Sequence, residues 1–294
     1  MNALTGSGGV TRRSPVEIVA TAASVVTHSP YAEVTGLSAG KLGRWTDGVA
    51  ELRADRAEFA GYWDAHNERV LRERARALRQ GEDPGRLWVA LGDSTAQGLG
   101  APGPHGGYVG QALTQLRRGT GERWRVINLS VSGALIRDVL AYQIPLLTAK
   151  PAKPAEPTEP AEPTEPAEAR DPARAQALLP DLVTCGAGAN DILYSAPGKL
   201  FSDLRELLAR VPERTIMLDL PLMAGFWGIV GRVSVPYISH INKVIREVAV
   251  ERSLRVAEVS KTFTAPWAGK FSVDNFHPSQ DGYRDWSRAL VAAI

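Results

Sequence analysis

The sequence is short of several features that mark particular functional classes. There is one cysteine, Cys185, in 294 residues, so no internal disulfide can form. No apolar run approaches the ~18 residues expected of a membrane span. Charge of neither sign dominates: 34 basic residues face 32 acidic ones, a net charge of +2. That balance argues against a nucleic-acid or acidic-membrane footprint. No His/Cys/Asp/Glu cluster has metal-ligand spacing, so neither a metal nor another cofactor is implied. Cys185 itself lies in the apolar run Leu182-Val183-Thr184-Cys185 and reads as a buried strand thiol rather than a nucleophile.

What the chain does have is a change of pattern near residue 86. Residues 1–45 are rich in small residues and show no period. Arg12-Arg13 ahead of the run 18–26 loosely resembles a twin-arginine export signal. Pro15 and Glu17 interrupt it and the run is short and Ala-rich, so a cytoplasmic location is expected. Residues 47–80 carry Val49, Leu52, Phe59, Trp63, Val70 and Leu78 at helical spacing. Charges such as Glu51, Arg53, Arg56, Glu73, Arg74 and Arg76 fill the other face. This reads as an amphipathic helix on the back of the following domain; a lid or a dimer helix is the functional alternative. Gly81 and Pro84 end it.

From residue 86 onward, five short β-rich runs (87–91, 125–129, 181–185, 215–220, 254–259) alternate with helical stretches (109–118, 134–147, 200–210, 237–252, 279–293). Such alternation permits crossovers in one parallel sheet, hence a doubly wound α/β fold. Residues 1–85 form an N-terminal extension and 86–294 the α/β domain. Residues 150–172 break the pattern. The hexamer Glu-Pro-Thr-Glu-Pro-Ala occurs twice, at 156–161 and 162–167. Proline at every third position forbids helix and sheet and favours extended polyproline II. The stretch reads as a disordered surface insertion, because the sheet needs strands from both sides of it.

Four short motifs fall at the ends of the runs or near the C-terminus: Gly92-Asp93-Ser94, Asn128-Leu129-Ser130-Val131-Ser132-Gly133, Gly188-Ala189-Asn190-Asp191 and Asp274-Asn275-Phe276-His277. Ser94 follows a strand, at the end where open α/β sheets bind ligands. A serine hydroxyl needs a base to become a nucleophile, and His277 is the candidate. Asp274, three residues earlier, is spaced to hold the imidazole in one tautomer. Singly, each motif has a plainer reading: Gly133 as a turn glycine, Asn190-Asp191 as a helix cap, His277 as a loop histidine. Together they supply what acyl transfer to a serine requires.

In order and spacing the motifs resemble the SGNH (GDSL-type) hydrolase family, over roughly residues 86–294. The resemblance implies a three-layer α/β/α sandwich with five parallel strands in flavodoxin-like order. It implies a serine esterase or lipase with Ser94, Asp274 and His277 as catalytic residues. It also implies an oxyanion hole from the N–H of Ser94, the N–H of Gly133 and the Asn190 amide. The sequence is compatible with each: Gly133 follows a strand and is expected to open a helix, and Asn190 lies just past the third strand. The α/β-hydrolases share the order Ser…Asp…His, but their nucleophile sits in Gly-x-Ser-x-Gly, unlike Gly92-Asp93-Ser94-Thr95-Ala96. Thr95 departs from the family's Leu or Ile, at a position expected to be apolar packing. Asp93 and Asp191 are expected to hold neighbouring loops by hydrogen bonds, and His28, His66, His105 and His240 to be structural.

The expected substrate is a small-molecule or lipid ester. The apolar stretch 223–230, with Phe226 and Trp227, is expected to line an acyl or alcohol pocket; packing against the N-terminal helix is the alternative. The same residues would serve an acyltransferase or a polysaccharide O-deacetylase, and a non-catalytic binding module would keep the fold alone.

Overall fold

The computed structural model describes residues 43–148, 172–222, 229–274 and 276–294. Five sequence expectations lie outside these residues: the Arg12-Arg13 segment, the structural role of His28, the Pro/Glu-rich insertion but for Pro172, the pocket residues Phe226 and Trp227, and Asn275 of the last motif. Among the described residues, no helix is long and apolar enough to cross a membrane.

The strands are β1 (Arg86–Gly92), β2 (Trp124–Asn128), β3 (Leu182–Gly186), β4 (Ile216–Leu218) and β5 (Arg255–Ala257). All pair in parallel, in the order β2-β1-β3-β4-β5. The helices are α1 (Gly43–Arg79), α2 (Ser94–Gln97), α3 (Tyr108–Thr120), α4 (Ile136–Asp138), α5 (Ile144–Thr148), α6 (Pro172–Ala177), α7 (Ala189–Tyr194), α8 (Pro197–Arg210), α9 (Ile229–Glu251), α10 (Val259–Thr262) and α11 (Gln280–Ala293). This is the flavodoxin-like order, with helices on both faces.

The alternation of β1 explains the layers. Leu87, Val89 and Leu91 face one buried cluster, with Ile144, Leu204, Leu207, Ile241 and Ile245. Trp88 and Ala90 face the other, with Val109, Leu113, Leu116, Tyr283, Trp286 and Leu290. Both faces are apolar, as a parallel sheet covered on two sides requires. β4 and β5 are shorter than their apolar runs. The reason for β4 is polar capture: Asn242 takes both the N–H and the C=O of Leu220, at 2.8 and 2.7 Å, and so ends the ladder.

The long N-terminal helix is not on the back of the domain. α1 lies along the outer edge of β2, and its side chains occupy that edge. Asn67 Nδ2 donates to Asn128 O at 2.8 Å and Asn67 Oδ1 accepts from Asn128 N at 2.9 Å. His66 Nε2 pairs with Val126 O at 3.1 Å, and Arg117 Nε of α3 donates to Trp124 O at 2.8 Å. In a parallel strand alternate residues point their backbone groups outward, here 124, 126 and 128. An exposed edge invites pairing with another chain, and α1 closes it. Arg69 Nη2 donates to His66 Nδ1 at 3.0 Å, so the ring stays neutral, and burial lowers its pKa.

Arg74 was expected on the solvated face. It is buried instead and donates to the carbonyls of Ala177, Pro84 and Gly85. A guanidinium has five donors, enough to cap several chain ends at once. Replacing Asn67 by alanine leaves both backbone groups of the buried Asn128 without a partner. We expect Asn67→Ala to cost on the order of 2–4 kcal/mol of unfolding free energy, measured by urea denaturation.

Candidate active site

β1 ends at Gly92, beside β3. Its φ is +144°, and a Cβ there would lie 2.2 Å from Gly186 O, so only glycine fits. Asp93 caps the short helix α2, its Oδ1 accepting from Thr95 N at 2.9 Å and Thr95 Oγ1 at 2.8 Å. This changes two expectations. Thr95 is not apolar packing; its hydroxyl satisfies a buried carboxylate. Asp93 holds its own helix turn rather than a neighbouring loop. Burial pushes the Asp93 carboxyl up, against the two bonds from Thr95.

The cap sets Ser94 at the first position of α2. The chain order reverses between β1 and β3, so Ser94 stands at the crevice where ligands bind in such sheets. Ser94 Oγ and His277 Nε2 are 2.8 Å apart, though 183 residues separate them in sequence. His277 Nδ1 is 2.6 Å from Asp274 Oδ2. The other carboxylate oxygen of Asp274 accepts from Phe276 N and His277 N, both at 3.0 Å, and from Ser272 Oγ at 2.7 Å. The turn is closed from outside by Ser272 N donating to His277 O at 2.9 Å. Burial raises the Asp274 carboxyl, but the bond and charge of His277, Phe276 N–H and the Ser272 hydroxyl outweigh it and hold it at about 2.

Gly133 does not open a helix, as the sequence suggested. It sits in a turn at φ +82°, and α4 begins only at Ile136. The delay has a cause: Asp138 Oδ2 accepts from Leu135 N and Asp191 Oδ2 from Ile136 N, each at 2.9 Å. The expected helix 134–147 is further broken by a π turn over Val139–Gln143. Gln143, at its end, pairs with both backbone groups of Gly92, at 2.8 and 2.9 Å. π turns often carry such functional contacts.

Asn190 Nδ2 donates to Ala134 O at 3.0 Å. One amide hydrogen is thereby used, which fixes the side chain, and the second is left over. Asp191 ties the two loops together, as expected, with Ile136 N on one oxygen and Ser195 Oγ on the other at 3.0 Å. Among the described residues, neither Ser94 N–H nor Gly133 N–H donates to a protein acceptor. Two unspent donors and a half-spent amide thus belong to the loops around the serine–histidine pair.

The sequence did not reveal the supports of this arrangement. Gln97 Nε2 donates to Ser130 O at 2.9 Å, and Ser132 Oγ donates to Gln97 Oε1. Asn128 Nδ2 donates to Ala96 O at 2.7 Å, and Trp63 Nε1 to Gln97 O at 2.9 Å. Arg56 Nη2 donates to Ser132 O at 2.6 Å. The two serines flanking Val131 were the only local signal. Cys185 is fully buried, and burial first, then the charge of Asp93, pushes its thiol up to about 12. It is therefore inert at neutral pH. The remaining described histidines pack locally: His105 Nε2 is 2.7 Å from Tyr62 Oη, and His240 lies edge-on to Phe201. Among the described residues, no group of three His, Cys, Asp or Glu is placed to hold a metal ion.

The model of the GDSL-like lipase/acylhydrolase family matches residues 90–284. No curated protein matches the chain. Among solved structures, TesA is similar at 20% identity and a TM-score of 0.50, over 71% of this chain and 97% of that one. The lipase Lip_vut3 from a goat rumen metagenome is similar at 21% identity and a TM-score of 0.50, over 71% and 97%. LAE5, an alpha/beta hydrolase enzyme from the metagenome of Lake Arreo, Spain, is similar at 20% and a TM-score of 0.51, over 71% and 94%. At such identities the three structures speak for the fold.

Proposed function

The chain belongs to the GDSL-like lipase/acylhydrolase family, and from that premise we propose that its carboxylic ester hydrolysis runs through an acyl-enzyme on Ser94. The observation that carries this reading is the unbroken hydrogen-bonded chain from Ser94 Oγ through His277 to Asp274, at 2.8 and 2.6 Å.

Ser94 Oγ attacks the ester carbonyl carbon as His277 Nε2 takes the hydroxyl proton. The carbonyl oxygen becomes an oxyanion, held by Ser94 N–H, Gly133 N–H and the second hydrogen of the Asn190 amide. Asp274 stabilises the imidazolium that forms. The intermediate collapses, the ester C–O bond breaks, and the alcohol leaves with the proton from His277. Water then attacks the acyl-enzyme, giving its proton to His277. The acid departs and Ser94 regains its proton. Donors fixed before the reaction need no reorganisation when charge develops, and the bond from Asn190 to Ala134 O supplies that fixity.

Asn190→Ala removes one of the three donors. We expect kcat to fall by roughly 10²–10³ with KM little changed, in steady-state kinetics.

The reading as a whole is tested with p-nitrophenyl esters of graded acyl length and a serine-reactive phosphonate. Turnover, with the phosphonate bonded to Ser94 in a peptide map, is the expected result. Turnover without any label on Ser94 would overturn the acyl-enzyme. The chain-length profile sizes the acyl pocket.

A further inference from the structure

We propose that Arg56 is a positioning residue for ester hydrolysis, acting from α1 on the peptide unit that presents the Gly133 N–H. The proposal rests on Gly133 being an oxyanion donor and adds to that reading a residue from outside the matched family region, which begins at residue 90.

The geometry is specific to one peptide bond. Arg56 Nη2 donates to Ser132 O at 2.6 Å. That carbonyl and the Gly133 N–H are two ends of the same planar unit, and in a trans peptide they point in opposite directions. Arg56 therefore stands behind the peptide, while the amide hydrogen faces away from it. Gly133 is also where close approach is tolerated: at φ +82°, a Cβ there would lie 3.3 Å from Arg56 Nη2. The side chain thus packs against the glycine whose orientation it sets.

Two effects follow. A peptide held at its carbonyl cannot rotate its N–H away from the site. Neighbouring bonds restrain the same loop: Val131 N donates to Gly92 O at 3.2 Å, Ala134 N to Val131 O at 3.0 Å, and Ser132 Oγ to Gln97. None of these grips the Ser132–Gly133 peptide itself. Moreover, a charge-assisted bond to a carbonyl polarises its amide and makes the N–H a stronger donor. That gain is largest when the acceptor is an oxyanion, so it favours the transition state over the bound ester.

Arg56 also ties α1 to the loop, and a purely structural role predicts a different outcome. The test uses the full chain and compares Arg56→Met, Arg56→Lys and Asn67→Ala. Kinetics on a p-nitrophenyl ester, the rate of phosphonate inactivation and the thermal midpoint are read for each. Arg56→Met is expected to lose roughly tenfold in kcat, with KM within about twofold, less than outright loss of a donor costs. Phosphonate inactivation slows in parallel, because its transition state places an anionic oxygen in the same hole. Arg56→Lys, which restores a cationic donor, recovers most of kcat. Asn67→Ala loosens α1 from the β2 edge, lowers the midpoint and keeps kcat. If Arg56→Met does not fold, Arg56→Gln, a neutral donor, carries the same expectation at roughly threefold. Wild-type kcat in Arg56→Met, or in Arg56→Gln where that variant stands in for it, or an equal loss in Asn67→Ala, would overturn the proposal. An active Ser94→Ala would instead overturn the acyl-enzyme on which it rests.

Discussion

Ser94→Ala is expected to lower kcat on a p-nitrophenyl ester by about 10⁶ while the protein stays folded. The size follows from what the hydroxyl does. Without it no acyl-enzyme forms, and His277 has no proton to take from the enzyme. The oxyanion donors remain, so a residual rate above the uncatalysed one survives. The fold is insensitive for local reasons. Ser94 is the first residue of a four-residue helix capped by Asp93, and the cap bonds go to Thr95, not to Ser94 Oγ. Alanine is a good helix former and smaller than serine. The hydroxyl is bonded to His277 Nε2, a ring nitrogen that still has its Asp274 bond on the other side. Steady-state kinetics together with thermal unfolding check both halves. A folded Ser94→Ala that keeps more than a tenth of kcat would mean that another group is the nucleophile.

The elements of this site differ in how far they could be read from the chain. The central strands were legible because they are compact apolar runs buried on both faces, such as Leu87 to Leu91. Their ends were not, since Leu220 leaves the ladder for the side chain of Asn242, twenty-two residues away. The meeting of Asp274 and His277 was legible because it is local, within one turn. Ser94, Gly133 and Asn190 were recognisable by their place after strands and by a family resemblance. Their supports were not. Gln97, Gln143 and Arg56 act through one or two side-chain hydrogen bonds between distant segments, and such bonds leave no period in a sequence. Arg74 shows why charge misleads: on a helical stripe it reads as solvated, yet backbone carbonyls can satisfy a buried guanidinium. The placement of α1 failed for a related reason. Phe59, Trp63 and Val70 of its stripe are buried, but periodicity states which face is buried and not what buries it; here the polar pair His66 and Asn67, facing an open strand edge, was the clue.

Asp274→Asn is expected to be severely damaging, although Asn is almost the same shape. We expect kcat to fall by about 10⁴ with the loop still folded. Asp274 only accepts: Oδ1 takes Phe276 N, His277 N and the Ser272 hydroxyl, and Oδ2 takes His277 Nδ1. Asparagine keeps one accepting oxygen. Three donors converge on one side, so the amide oxygen goes there and the NH₂ turns toward His277 Nδ1. That nitrogen must then accept, which moves the ring proton to Nε2. Nε2 now donates toward Ser94 and can no longer take its proton. The wild-type carboxylate is held at about 2, below the ordinary 3.8. The sign follows: its contribution to stability is fully present above the ordinary value and is lost as pH falls from 3.8 through about 2. Within this window the wild type loses stability that Asp274→Asn never had, so acid titrations of the two should converge. Above it Asp274 stays ionised, and an acid limb in kcat/KM near neutral pH does not come from this carboxylate. Kinetics, acid unfolding and the NMR tautomer state of His277 measure the three consequences separately. An Asp274→Asn variant with wild-type kcat and the proton still on Nδ1 would remove Asp274 from the mechanism and leave it only as the staple of its turn.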